Sequence, residues 1–328
     1  MRIAIIGAGG VGGYFGARLQ QAGADVHFVA RGSHLQAMRS GGLLIESQQG
    51  DIQLPRVNVT DNPADVGVAD IVWLSVKLWD MESAVQSIRP LIGPHTGIIS
   101  FQNGVQKDDV LRAAFGDKAV MGGVAYIATN IDRPGVIKHT GTMQRLIFGE
   151  YDGSRSKRAE TLLDFCVKGG INAELSNDVR RAIWEKFVFL VGLSGATTTM
   201  RETIGPIRSN PRSRRFLADL MRETVAVGRA LGVELPGDFA DQRMSFVDGL
   251  PDAMTSSMHH DLNAGKRLEV SWLSGGVAQL GEKAGVPTPM NRAVWEILAL
   301  HEMGVAAAEA SAGPAKASAG PAKAGHYR

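Results

Sequence analysis

Short apolar runs recur through the first half of the chain, at Ile3–Ile6, Val26–Ala30, Ile71–Val76, Gly97–Phe101 and Ala119–Ala125. Stretches of helical periodicity or turn residues separate them. That alternation predicts strands and helices in turn, and so a doubly wound, largely parallel sheet. Two later runs, Gly135–Gly141 and Arg145–Gly149, read as antiparallel strands at the sheet edge, separated by a turn at Gly141-Thr142. Residues 151–156 read as a loop and Arg158–Gly169 as a helix. After about residue 176 the apolar period changes to 3.6, with almost no β-branched runs. It predicts helices over Val179–Met200, Ser213–Leu231, Phe239–Val247, Arg267–Ala284 and Met290–Glu302. The last stretch repeats itself, Ser311–Ala317 and then Ser318–Ala324, and offers Gly and Pro but nothing large to bury. It is expected to be a disordered tail.

The first apolar run leads straight into Gly7-x-Gly9-x-x-Gly12, which is followed by a helical stretch, Gly23 and the second strand. In a strand–turn–helix–strand unit these glycines have distinct uses. Gly7 allows the tight turn, Gly9 lets backbone approach a pyrophosphate, and Gly12 brings helix against strand, while the helix N-terminus offers free N–H groups to the phosphates. The first domain is therefore a Rossmann-type dinucleotide-binding domain, here 1–176, followed by an all-helical domain at 177–308 and the tail at 309–328. The end of the second strand reads Val29-Ala30-Arg31-Gly32-Ser33, with no acid until Glu46. A guanidinium there suits the 2′-phosphate of NADP(H), where a site for NAD usually places a carboxylate. The alternative for Arg31 is a solvated surface arginine.

Composition narrows the remaining classes. The chain has 328 residues, 44% hydrophobic content and a formal charge of +2, so nothing global favours nucleic acid or an anionic membrane as partner. The local run Arg201, Arg208, Arg212, Arg214, Arg215 and Arg222 reads as a solvated or ion-paired helix face. A single cysteine, Cys166, can form no internal disulfide and has no metal-binding neighbours, which fits a reducing, cytoplasmic setting. No metal site, signal peptide or membrane segment is expected.

In an open α/β sheet, ligands gather beyond the carboxyl ends of the strands. Lys77 follows the run ending at Val76, and Asn103-Gly104 follows the run ending at Phe101. Asn103 suits the nicotinamide carboxamide or the substrate, or simply an Asn-Gly turn; Lys77 is a candidate of the same kind, or a surface lysine. Lys186 lies in Ala182-Ile-Trp-Glu-Lys-Phe-Val-Phe-Leu-Val191, a helix apolar on nearly every face. Burying an ammonium is expensive, and desolvation lowers its pKa toward the range in which it can give up a proton at neutral pH. The alternative is a lysine snorkelling to solvent. Glu269 also sits in apolar company and is placed to face a cleft between domains, or else to pair with Lys266 or Arg267.

Taken together, Gly7, Gly9, Gly12, Arg31, Ser75-Val-Lys77, Asn103-Gly104, Trp184-Glu-Lys186 and Arg267-x-Glu269 resemble the ketopantoate reductase family, the NADPH-dependent 2-dehydropantoate 2-reductases of pantothenate biosynthesis. The resemblance covers residues 1 to 305. It implies a Rossmann domain joined to a helical domain, with a keto-acid site between them, and a homodimer. It further implies that Lys186 is the general acid, that Lys77 and Asn103 line the cofactor and substrate side, and that Ser257 and Glu269 bind the substrate's polar end. The family commonly carries asparagine where this chain has Leu190, Ser194 and Met254, so these positions give a more apolar substrate pocket. The expected activity is NADPH-dependent reduction of a 2-oxo acid or related ketone. The alternatives are a hydroxy-acid dehydrogenase working in the oxidative direction and an NADP-sensing protein with a vestigial site.

Overall fold

The computed structural model describes residues 1–305; the tail expected at 309–328 lies outside the described residues. Ten strands form one sheet: β1 Arg2–Ile6, β2 Asp25–Val29, β3 Leu43–Ser47, β4 Ile52–Leu54, β5 Asn58–Thr60, β6 Ile71–Leu74, β7 Gly97–Ser100, β8 Val120–Arg133, β9 Val136–Glu150 and β10 Asn172–Leu175. Their order is β4-β3-β9-β8-β7-β6-β1-β2-β5. From β5 across to β8 every neighbouring pair is parallel. The direction reverses at β9, which pairs antiparallel with β8 along one edge and takes β3 and β10 on the other.

The helices are α1 Gly10–Gln21, α2 Gly32–Gly41, α3 Met81–Ser87, α4 Lys107–Phe115, α5 Lys157–Lys168, α6 Val179–Met200, α7 Ile204–Ser209, α8 Pro211–Ala230, α9 Phe239–Asp248, α10 Ser257–Asn263, α11 Ser274–Ala284 and α12 Pro289–Leu298. Alternate residues of β1 go to opposite faces of the sheet, as the two-residue strand period requires. Ile3 and Ile5 join Phe15 and Leu19 of α1 and Leu162 of α5, whereas Ala4 and Ile6 join Met81 and Val85 of α3 and Leu111 of α4. Both faces are covered, which is why the strands read as continuous apolar runs. The chain leaves β1 toward β2 on one side and later returns to place β6 on the other, so the carboxyl ends of β1 and β6 flank a topological switch point.

The helical half is built on α6. Asp178 caps it by accepting from Arg181 N at 3.0 Å. Its first turns lie on the sheet, where Val179 and Ile183 pack with Val124 and Ile147. Its later turns pack against α8 so closely that a β-carbon at Gly192 would come within 2.6 Å of Met221. Within the arginine run, Arg208, Arg214 and Arg222 pair with Asp252, Asp248, and Asp219 plus Asp241. Cys166 is buried, and burial pushes its thiol up to about 12. No helix among the described residues is long and apolar enough to cross a membrane.

Three expectations need correction. The two strands expected at 135–149 are one, β9, and the Gly141-Thr142 turn is instead a bulge. Ala128 alone spans on β8 the interval that residues 140–143 occupy on β9, and Gly141 absorbs the distortion at φ +75°. The helix expected over Arg267–Ala284 begins only at Ser274. Trp272 N and Leu273 N both donate to Glu269 O at 3.1 Å, which closes a tight turn, and Leu268 N is held by Glu302 O at 2.8 Å. The short strands β3, β4, β5 and β10 were absent from the apolar pattern, because each is only partly buried.

Candidate active site

The glycine motif lies between the end of β1 and the start of α1. Gly7 has φ +94°, and a β-carbon there would come within 2.9 Å of the Ser75 and Val76 backbone beyond β6. A β-carbon at Gly12 would lie 2.3 Å from Gly7 O, so the close helix–strand approach excludes any side chain. At Gly9 nothing lies within 4 Å, leaving the space before the helix open. No side chain caps α1 and no acid occupies its first turn. His34 braces this loop: Gly135 N donates to Nδ1 at 3.1 Å, so Nε2 carries the proton and donates to Ala8 O at 2.9 Å. Burial holds the pKa of His34 below its ordinary value, which preserves that neutral tautomer.

Arg31 is exposed at the N-terminus of α2, beyond β2, and its guanidinium makes no hydrogen bond or ion pair among the described residues. Glu46, the next acid in sequence, is taken up by Arg133 at 2.9 Å. The open turn, the uncapped helix and the free guanidinium fit a dinucleotide with an anionic 2′ substituent.

Four of the residues singled out in the sequence meet where the sheet adjoins the helical half. Lys186 Nζ donates to Asn103 Oδ1 at 2.9 Å, and Asn103 Nδ2 makes a longer contact of 3.5 Å to Glu269 Oε2. Asn103 thus bridges a cation and a carboxylate carried by the helical half. Lys77 Nζ pairs with Asp261 on α10 at 3.1 Å. Desolvation works against the Lys77 charge, but Glu269 and Asp261 outweigh it and hold its pKa above the ordinary value. For Lys186 the balance runs the other way. Burial is the main cause, the Lys107 charge adds to it, and Glu269 opposes both, leaving a pKa of about 8 against an ordinary 10.5. The Lys186 ammonium also lies 5.8 Å from the centroid of the Tyr126 ring.

The remaining substrate-side positions divide. Leu190, one turn beyond Lys186 on α6, is half-buried. Ser194, another turn on, has no exposed surface, and its Oγ lies buried without a partner among the described residues. Ser257 is exposed at the start of α10. Its neighbour Ser256 is the buried one, accepting from His259 N at 3.1 Å and sharing a 2.9 Å hydrogen bond with Thr197. Met254 is half-buried, and its carbonyl accepts from Ile204 N at 2.9 Å.

Three features gave little or no warning in the sequence. Trp79, just after β6, and Trp272, from the turn before α11, lie with ring centroids 6.2 Å apart, and the Arg267 guanidinium lies 4.8 Å and 5.7 Å from them. Phe189 meets Phe246 edge-on at 5.3 Å, next to Leu190 in sequence. Lys107 is only 3% exposed. Its one sequence signal is a cation at the first position of a helix, the unfavourable end of the dipole.

The family model described as Ketopantoate reductase PanE/ApbA matches residues 3–153, and that for its C-terminal part matches residues 178–302. A 2-dehydropantoate 2-reductase of Mesorhizobium japonicum is 32% identical over 316 residues, covering 90% of this chain and 95% of its own. The crystal structure of 2-dehydropantoate 2-reductase from Geobacter metallireducens shares the fold with a TM-score of 0.85 at 30% identity, over 92% of this chain and 99% of that one. The ternary structure of D-mandelate dehydrogenase with NADH and anilino(oxo)acetate has the same fold, with a TM-score of 0.83 at 22% identity over 92% and 98% of the two chains.

Proposed function

The chain belongs to the ketopantoate reductase family, and within it we propose an NADPH-dependent reductase of a 2-oxo acid or related ketone that bears an apolar side chain. The observation that carries this reading is the bridge Lys186–Asn103–Glu269 across the junction of the two halves, with the ammonium near neutrality. When bound, the reduced nicotinamide supplies a hydride to the carbonyl carbon. Gly7, Gly9, Gly12, the N-terminus of α1 and Arg31 would hold the dinucleotide.

The chain's own side chains account for the rest. Lys186 donates its proton to the developing alkoxide oxygen, and a pKa of about 8 keeps it mostly charged at neutral pH while leaving that proton easy to release. Asn103 fixes the direction of the ammonium by accepting from it. Glu269 supplies the negative charge that keeps Lys186 from being lowered further, and Lys77 offsets that charge toward an anionic substrate. Leu190 presents an isobutyl group one turn beyond the lysine, on the same side of α6. A hydroxylated side chain finds no partner there, and an apolar one does.

The same residues serve the reverse oxidation, since the proton carrier is then the base. A sensor with a vestigial site has no use for a lysine held at that desolvation cost, which favours an enzyme. The test is NADPH consumption with a panel of 2-oxo acids and neutral ketones, ketopantoate included. Turnover of a branched or aromatic 2-oxo acid above ketopantoate supports the reading. Failure of every carbonyl compound to stimulate NADPH loss refutes it.

A further inference from the structure

Lys107 has no part in the scheme above, yet its position is costly twice over. A cation at the start of α4 opposes the helix dipole, and a buried ammonium is tolerated only when it is paired and its donors are satisfied. Both conditions are met. Lys107 Nζ donates to Ser100 O at 2.8 Å, to Gly123 O at 3.3 Å, and to the Asp108 carboxylate oxygens at 3.1 and 3.2 Å. Asp108 also accepts from the Tyr151 hydroxyl at 2.5 Å.

The partners say what this ammonium holds. Ser100 ends β7 and Gly123 lies on β8, so Lys107 ties the carboxyl end of one strand to its neighbour. The chain between Ser100 and Lys107 is the loop that carries Asn103. Inside that loop Ser100 Oγ donates to Gln102 Oε1 at 2.8 Å, and Gln106 lies against the start of α11, 3.2 Å from where a β-carbon on Gly276 would stand. At Gly122, next to Gly123, β8 meets Val179 and Ile183 of α6, the turns that lead to Lys186. One side chain therefore anchors the Asn103 loop beneath the helix that bears the proton donor.

We propose that Lys107 is a positioning residue for the reaction: it locks the loop that presents Asn103 to Lys186, and it sets a second positive charge behind the proton donor. The proposal rests on the reading of Lys186 as general acid. The direction of the Lys186 shift agrees with it, since the Lys107 charge is the largest contribution after burial; burial lowers the pKa of Lys107 itself, and the charge and hydrogen bond of Asp108 oppose that. The other charged or titratable groups around Lys186 do not supply that push. Glu269 opposes it, Glu185 on the same helix pairs with Arg181 at 2.8 Å, Tyr126 on β8 is kept neutral by burial, and Lys77 is engaged by Asp261.

The test is the double variant Lys107→Met with Asp108→Asn, which removes both charges so that neither is left buried alone. Two readouts are taken: the alkaline limb of kcat/KM for ketone reduction, and the pH dependence of Lys186 acylation by a small amine-reactive reagent, read by peptide mass spectrometry. With the neighbouring charge gone, both midpoints should move up by about half a pH unit or more. Turnover at neutral pH should fall as Asn103 loosens. Lys107→Gln with Asp108→Asn, which keeps a donor for Ser100 and Gly123 and likewise leaves no lone buried charge, is read in the same way should the first double variant not fold. Unchanged midpoints in a folded variant overturn the proposal. A shifted acylation midpoint in a protein that reduces no ketone upholds the role of Lys107 and removes the assigned reaction instead.

Discussion

Replacing Lys186 by methionine should make the protein more stable while destroying its turnover. The folded-state pKa of about 8, against 10.5 for an ordinary lysine, corresponds to about 3 kcal/mol by which the fold disfavours the charged form. Methionine keeps most of the side-chain volume and carries no charge. Its introduction leaves Asn103 Oδ1 without its 2.9 Å donor, a loss of about 1 kcal/mol, so the net gain at neutral pH is about 2 kcal/mol. The sign follows from proton counting. Below about pH 8 the lysine is charged in both states and the folded protein bears the whole cost. Between about 8 and 10.5 the unfolded chain holds the proton that the folded one has released, so the parent regains stability as pH rises. Above that range both states are neutral and the cost is gone. Urea unfolding of parent and variant at about pH 7 and about pH 10 measures the difference, which should shrink strongly at the higher value. Turnover should drop by about a hundredfold or more at about pH 7 and by much less at about pH 10, where the parent lysine has itself lost its proton. A variant no more stable than its parent at neutral pH, or one whose advantage persists undiminished at about pH 10, would mean that the fold does not strain against this ammonium.

Arg31→Ala should weaken NADPH binding by about tenfold to a hundredfold and leave NADH binding nearly unchanged, since only a 2′-phosphate gains a charge-assisted contact there. Fluorescence titration of parent and variant with each cofactor measures it, and equal losses for the two cofactors would contradict the assignment. Gly12→Ala should cost about 1–3 kcal/mol and abolish tight dinucleotide binding, because the new methyl would sit 2.3 Å from Gly7 O; unaltered melting and titration curves would show that the loop simply moves aside. Leu190→Asn should raise kcat/KM for ketopantoate by about tenfold, the worth of one recovered hydrogen bond, and lower it for an aromatic 2-oxo acid. Steady-state kinetics on both substrates decide, and a fall for both would place Leu190 in the core instead.

The parts of the fold that were legible in the sequence are those whose signal is local and strong. The central parallel strands are buried on both faces, so they stand out as apolar runs, and α6 has the bounds its periodicity gives. The glycine turn was legible because Gly7 and Gly12 each answer a specific steric demand, while Gly9 leaves the space before α1 open. Edge strands such as β4 and β5 have three residues each and at most one buried side chain, so their identity comes from pairing, which no local pattern records. The segment Arg267–Leu273 misled for a related reason. Leu268, Val270 and Leu273 are buried as in a helix, but a turn closed on Glu269 O buries them just as well. Glu269 drew attention all the same, because a carboxylate among apolar residues calls for a partner whatever the backbone does, and here Asn103 and the Lys77 charge lie beside it. Lys107 was missed because its neighbours Asp108 and Asp109 make the stretch look like an ordinary solvated helix start.

The course of α6 beyond Lys186 limits which substrates the site can favour. Residues four apart share a helix face, so Lys186, Leu190 and Ser194 would form one line of contacts if the whole face stayed at the surface. It does not: Leu190 is half-buried and Ser194 has no exposed surface. Gly195, next to it, lies against Leu220, Ser274 and Val294, so this part of the helix is enclosed by α8, α11 and α12. An asparagine at 194 would then meet packed neighbours rather than substrate, and the choice of substrate falls to Leu190 and what lies beside it. Phe189, next to Leu190 in sequence, meets Phe246 edge-on, and Phe246 is 49% exposed. Apolar surface next to a proton donor disfavours a hydroxylated side chain by the desolvation that its hydroxyl must suffer without a partner, about 1–3 kcal/mol. It favours an alkyl or aryl group by the area covered. Both effects act in the same direction, so under the proposed function changing Leu190 alone should alter the preference between the two kinds of substrate while leaving Lys186, Asn103 and Glu269 in place.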